Sequence, residues 1–133
     1  MKHLKYIFIG GLIATSLFSC KKGPGIGGKA TITGKIYEYN YNNDFSVLKD
    51  EYYKGDHEVF IIYGNDNIYS DNFKTHYDGT FEFNYLLPGE YTIYVYSSDT
   101  NINSANNMTV TQKVTINEKK EVVNIGTIEV YDI

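Results

Sequence analysis

The sequence predicts an all-β fold: a seven-stranded, antiparallel sandwich of two sheets. Three observations carry that prediction. Short runs with an apolar–polar period of two recur from residue 29 to residue 131, which is the period of half-buried strands. Turn-forming pairs, Asp78-Gly79 and Pro88-Gly89 above all, separate them at regular spacing. No run carries a convincing helical period, and strands spaced this way bury their apolar faces by packing as two sheets.

Residues 29–37 form the first predicted strand, with Ala30, Ile32, Gly34 and Ile36 on one side. Gly34 within it marks a bulge or the close approach of another backbone. Residues 38–56 are the least regular part. Residues 39–44 are loop-like at their end, and residues 45–53 read as a short helical turn or a stray edge strand. So long a connection marks either a functional loop or a missed element. Residues 57–63 are apolar on nearly both faces, as in a central strand, and Gly64-Asn65-Asp66-Asn67 turns the chain.

The stretch from Tyr77 to Tyr96 is the centre of the pattern. Asp78-Gly79 tolerates the positive φ of a tight hairpin and is expected to pair residues 72–77 with residues 80–84. Phe81 and Phe83 alternate with Thr80, Glu82 and Asn84. Pro88-Gly89 makes a second turn, proline fixing φ and glycine free to go left-handed. Beyond it Tyr91, Ile93 and Val95 alternate with Thr92, Tyr94 and Tyr96. A polar connection over residues 98–107 leads to a cleanly alternating strand at 108–116. Residues 117–120 turn it into a last strand, 121–131, interrupted at Gly126. No further domain is expected after it.

The 133 residues suffice for one domain, and 16% aromatic content, with fourteen tyrosines and no tryptophan, is enough to build a core. All twelve basic residues are lysine, so bidentate arginine clamps on phosphate or carboxylate are absent. The net charge is −4, falling to −6 if Lys2 and Lys5 leave with a cleaved leader. Nucleic-acid affinity rests on neutralising phosphates, and an acidic, arginine-free domain excludes that class of partner.

Residues 1–19 have the parts of an export signal: Lys2, His3 and Lys5, then a mostly apolar run over 6–17, too short to span a bilayer. Leu17-Phe18-Ser19-Cys20 resembles the lipobox of bacterial lipoproteins. That resemblance implies that Cys20 is diacylated, becomes the new N-terminus and anchors the protein in a membrane. Two acyl chains give stable anchoring where one does not. Cys20 is the only cysteine, which excludes an intrachain disulfide. Residues 20–28, with four glycines and a proline after Lys21-Lys22, are expected to be the acylated cysteine and a flexible tether. The β-sandwich domain is expected to occupy 29–133.

The order Gly34-x-Ile36, Val59-x-Ile61, Asp78-Gly79-x-Phe81-x-Phe83, Pro88-Gly89-x-Tyr91-x-Ile93-x-Val95 and Val123-x-Ile125-Gly126-x-Ile128 is similar to the carboxypeptidase regulatory-like and Cna B-type domains. The resemblance implies a prealbumin-like (transthyretin-like) sandwich and a non-catalytic accessory, stalk or adhesion role outside the cell. The small tyrosine-rich form resembles single-domain lipoproteins of the Bacteroidetes type. Some Cna B-type domains carry a Lys–Asn crosslink; Lys29 or Lys35 with Asn124 would be its partners here. Val95 and Tyr96 stand where that family places the acid, so the crosslink is not expected.

No nucleophile or metal motif is present, and His57 and His76 lack any ligand or general-base spacing. No catalysis, cofactor or metal is expected; an enzyme would need a cleft lined by His76 with carboxylates. Asn65-Asp66-Asn67 with Asp71, and Asn43-Asp44, lack calcium-loop spacing and read as turn formers. The candidate binding residues are tyrosines. Tyr37, Tyr39 and Tyr41 share a side if the first strand continues, and Tyr94 and Tyr96 leave the core by alternation. If the two groups meet on one face they make a platform suited to stacking on sugars or anchoring a protein. The expected partners are therefore a membrane, through the lipid, and an envelope protein or glycan. The expected location is the outer membrane, facing the periplasm, because Lys21-Lys22 follow Cys20 and no acidic run resembles a surface-export signal.

Overall fold

The computed structural model describes residues 20–101 and 107–133; the leader at 1–19 and residues 102–106 of the polar connection lie outside them. Among the described residues eight strands run in order: β1 (Ile26–Tyr41), β2 (Leu48–Tyr53), β3 (Glu58–Tyr63), β4 (Asp71–Lys74), β5 (Thr80–Leu86), β6 (Gly89–Ser98), β7 (Asn107–Ile116) and β8 (Val122–Asp132). They form two four-stranded sheets. In the first, the long β1 pairs β5 along its first half and β2 along its second, with β8 on its other edge. The second sheet has the order β4-β3-β6-β7.

The sandwich is thus as expected, with eight strands instead of seven. The added strand, β2, lies inside the irregular 38–56 connection. It is exposed along its whole length, so it has no inward apolar face and no alternation to betray it. The loop before it is closed by its own side chains. Asn42 Oδ1 accepts the Val47 N–H at 3.0 Å, and Asp44 Oδ1 accepts the Ser46 N–H at 3.0 Å. The antiparallel expectation holds for every pair except β1–β8, which is parallel.

Asp78-Gly79 makes the tight turn but not the hairpin. Gly79 N–H donates to the His76 carbonyl and His76 N–H to the Thr80 carbonyl, both at 2.9 Å, with Gly79 at φ +79°. The flanking strands then part: β4 pairs β3 in one sheet and β5 pairs β1 in the other. Buried Thr75 steers that departure, its hydroxyl donating to the Lys54 carbonyl at 2.6 Å and accepting the His57 N–H at 2.9 Å. Pro88-Gly89 also carries the chain between sheets, from β5 to β6.

Between the sheets lie Ile32, Ile36, Val59, Ile61, Phe81, Phe83, Tyr91, Ile93 and Val95, all buried. Of the two roles foreseen for Gly34 the close backbone approach holds, a β-carbon there falling 2.9 Å from the Gly126 carbonyl oxygen, while the bulge lies in the strand opposite. Opposite it, Ile125 and Gly126 occupy one rung between the Thr33–Asn124 and Lys35–Thr127 pairs, so β8 bulges there. A β-carbon on Gly34 would fall 2.7 Å from the Phe81 ring.

The chain is held sooner than the tether assignment of 20–28 implies. Gly25 N–H donates to the Tyr91 hydroxyl at 2.9 Å, and that hydroxyl donates to the Leu87 carbonyl at 2.6 Å. Leu87 N–H in turn donates to the Gly25 carbonyl at 2.8 Å. A buried phenol must place its hydroxyl. Here doing so fastens the start of β1 to the β5–β6 turn.

Candidate functional site

The outer face of the second sheet carries an aromatic-floored groove. Cross-strand register sets Phe60 of β3 beside Tyr94 of β6, and Tyr94 and Tyr96 beside Thr111 and Thr109 of β7. The Phe60 and Tyr94 rings stack with centroids 4.9 Å apart and planes 12° apart. Tyr96 and Tyr69 meet Phe60 edge-on at 5.7 and 5.0 Å. The β3–β4 loop, tied back by the Ser70 N–H to the Ile61 carbonyl at 2.8 Å, raises Ile68 and Tyr69 as one wall. The hollow has a volume of about 680 Å³ and a rim of Thr92, Thr109 and Thr111. Ile68 is 76% exposed, a large apolar side chain left open to solvent beside the groove. Desolvation first, then Tyr96 and Tyr69, raise the Tyr94 phenol above its ordinary range, so it remains a neutral donor.

Tyr37, Tyr39 and Tyr41 lie on the outer face of the other sheet. Tyr37 meets Tyr39 and Tyr53 edge-on at 5.3 and 5.0 Å, and Tyr39 stacks on Tyr131 at 5.6 Å. Tyr39 hydroxyl donates to Glu129 Oε1 at 3.2 Å, and Lys35 Nζ stands 4.8 Å from the Tyr53 ring. The strand does continue and the three tyrosines do share a side. The core separates them from Tyr94 and Tyr96, so the five make two faces and not one platform. Tyr69, which walls the groove, and Phe60, buried beneath its rings, were missed because the β3–β4 loop places Tyr69 and the register Phe60–Tyr94 places Phe60.

A third cluster was also missed. Glu38 is 2% exposed, accepting from Lys54 Nζ at 2.7 Å and the Tyr52 hydroxyl at 2.8 Å. Its parity with Ala30, Ile32, Gly34 and Ile36 was the available signal, had β1 been carried one residue further. Desolvation lowers the Lys54 pKa, but the Glu38 carboxylate outweighs it and holds the ammonium above its ordinary value. Glu38, Lys54, His57, Ser97 and Asp132 line a notch of about 230 Å³ at this end of the sandwich. His76, by contrast, packs edge-on against Phe73 at 5.3 Å.

Desolvation pushes the His57 pKa down, against the pull of Glu38. The folded state therefore resists a proton that the unfolded chain accepts near pH 6.5. Stability should be full above that value and fall on acidification through it. Chemical denaturation between about pH 7.5 and 5.5 should show the fall, and His57→Gln should flatten it. An unchanged slope in that variant would remove His57 as its source.

No family model and no curated protein matches this sequence. Two solved structures resemble it in chain path. One is a proposed carbohydrate-binding protein from Pseudomonas aeruginosa, at 15% identity and a TM-score of 0.48, covering 80% of this chain and 90% of that one. The other is a 9R-lipoxygenase from Cyanothece, at 13% identity and a TM-score of 0.38, covering 78% of this chain and 16% of that one. Likeness at these values carries no argument about ligand or activity.

Proposed function

We propose that this chain is a non-catalytic, glycan-binding lipoprotein module of the cell envelope, held at the outer membrane through acylated Cys20 and facing the periplasm. The observation that supports the binding role is the groove on the second sheet. Its tyrosines, Tyr94 and Tyr96 on the floor and Tyr69 on the wall, pack over the buried Phe60 ring and present an aromatic surface edged by threonine hydroxyls. Sugars offer the complementary pattern, with apolar C–H faces ringed by hydroxyls, and tyrosine matches it with a large body and a polar tip. The anchor rests on Leu17-Phe18-Ser19-Cys20, and Cys20 is exposed.

A glycan array followed by titration tests the reading. Tyr94→Ala should weaken binding by about tenfold or more, the loss expected of a central aromatic anchor. Tyr39→Ala, on the opposite face, should leave it unchanged. Undiminished affinity in Tyr94→Ala would overturn the assignment of the groove. A second reading, an assembly component docking through the Tyr37–Tyr39–Tyr131 ladder, is favoured by the partly exposed Tyr53 at its margin. That reading predicts a stoichiometric protein partner lost in Tyr39→Ala and kept in Tyr94→Ala.

A further inference from the structure

Three segments distant in sequence meet at the end of the sandwich where β1 begins. The pairs Ala30–Leu86, Gly89–Ile116 and Thr31–Val122 bring together the start of β1, the β5–β6 turn and the β7–β8 turn. Lys29, Lys119 and Lys120 stand around a hollow of about 330 Å³ whose floor is Gly27, Gly28, Leu87 and Pro88. Gly28 leaves no room for a β-carbon against the Leu86 carbonyl, so the floor there is bare backbone.

Lys21 and Lys22 precede this end directly. Five of the ten lysines in the described residues thus belong to one end of a chain whose net charge is −4. Glu90 and Glu118 share this end with Glu121, whose carboxylate turns to its own loop and accepts the Asn117 and Glu118 N–H groups at 2.7 and 3.0 Å, so the five lysines outnumber three acids. The opposite end carries Asp44, Asp56, Asp99 and Asp132 together with Lys49, Lys54 and Lys74, of which Lys54 is paired with Glu38 at 2.7 Å and Lys74 with Asp56 at 3.3 Å. Charge therefore runs along the long axis, basic where the chain enters and acidic where it is farthest away.

We propose that this lysine-rimmed end is a docking surface for an anionic bilayer, holding the domain upright on its membrane. Lysine stems lie along apolar surface while their ammonium groups reach outward, the arrangement that suits a headgroup layer. Only residues 21–24 separate Cys20 from Gly25, the first residue held, a reach of at most about 18 Å. Fully extended, that is about twice the roughly 8 Å over which charges act at physiological salt, so a slack tether brings the near end within the field of the surface. A negative surface attracts the near end and repels the far one, so a single orientation results.

The proposal rests on the anchoring reading, and the two are tested apart. Mass spectrometry of the Cys20 peptide from membrane-isolated protein decides whether the cysteine is acylated. Docking is read on chain beginning at Cys20, which retains every core residue from Ala30 to Val130. Its sole thiol is coupled to a maleimide phospholipid in vesicles, so the result does not depend on acylation in the cell. With about 30% phosphatidylglycerol in phosphatidylcholine, amine labelling of Lys29, Lys119 and Lys120 should fall about fivefold relative to Lys49 and Lys74. It should recover at about 0.5 M salt. Equal labelling of all five lysines, or the same protection on neutral vesicles, would overturn it. As a second measurement, uncoupled chain should float with the anionic vesicles. Lys29→Gln/Lys119→Gln/Lys120→Gln should lose that flotation severalfold, whereas Lys49→Gln/Lys74→Gln should not; equal flotation of the two variants would also overturn the proposal.

Discussion

Replacing Phe81 by alanine is expected to lower stability by about 3–5 kcal/mol, a large share of the 5–15 kcal/mol typical of a domain. The reason lies in what faces the ring. Phe81 is fully buried and registers against Gly34, whose missing side chain is the space the ring occupies. A glycine has nothing with which to fill the cavity left behind, and backbone paired on both edges cannot collapse into it. Cavity cost depends on how far a site relaxes, so this one belongs at the upper end of its range. Urea denaturation should show a lower midpoint at unchanged slope. A loss below about 1 kcal/mol would mean that Phe83, 6.1 Å away, swings in to repack the site.

Phe81 also marks how far the sequence could be read. Period-two alternation identified the buried faces of β1, β5 and β6, because a residue between two sheets has no alternative to being apolar. Turn chemistry located Asp78-Gly79 and Pro88-Gly89. It did not say that each turn leaves one sheet and enters the other, because a turn fixes a local reversal and not the partner of the strand that follows. The tyrosines show the same boundary. Alternation turned Tyr94 and Tyr96 outward correctly, but only the crossover at Pro88-Gly89 places them on the sheet opposite Tyr37, Tyr39 and Tyr41. Phe60 escaped notice for a related reason. Apolar on both sides, β3 reads as buried throughout, and its outward phenylalanine is covered by rings from β6 and the β3–β4 loop.

The second large effect is expected at the buried ion pair. Lys54→Met would leave Glu38 between the sheets with only the Tyr52 hydroxyl as a side-chain donor, at 2.8 Å. An uncompensated buried charge costs about 3–5 kcal/mol. The Lys54 side chain is 27% exposed, which places the loss toward the lower part of that range. Removing both charges should recover most of it, since well-packed apolar replacements of buried pairs are often neutral. Glu38→Met/Lys54→Met is therefore expected to be more stable than Lys54→Met alone. Equal loss in the single and double variants would show that the side-chain stems, not the charges, hold this end together.

The parallel pairing of β1 with β8 has a mechanical consequence. β1 enters at the end near Cys20, and β8 finishes at the other end, so tension between Cys20 and Ile133 draws the two strands past each other lengthwise. Nine paired positions, Thr31–Val122 through Asn40–Asp132, lie across that line of pull. Rungs loaded this way bear the force together, whereas a hairpin pulled at its open end unzips one rung at a time. With Gly25 clasped by Tyr91 at one end and Tyr131 N–H donating to Ser97 Oγ at 2.8 Å near the other, extension along this axis has to break these contacts together.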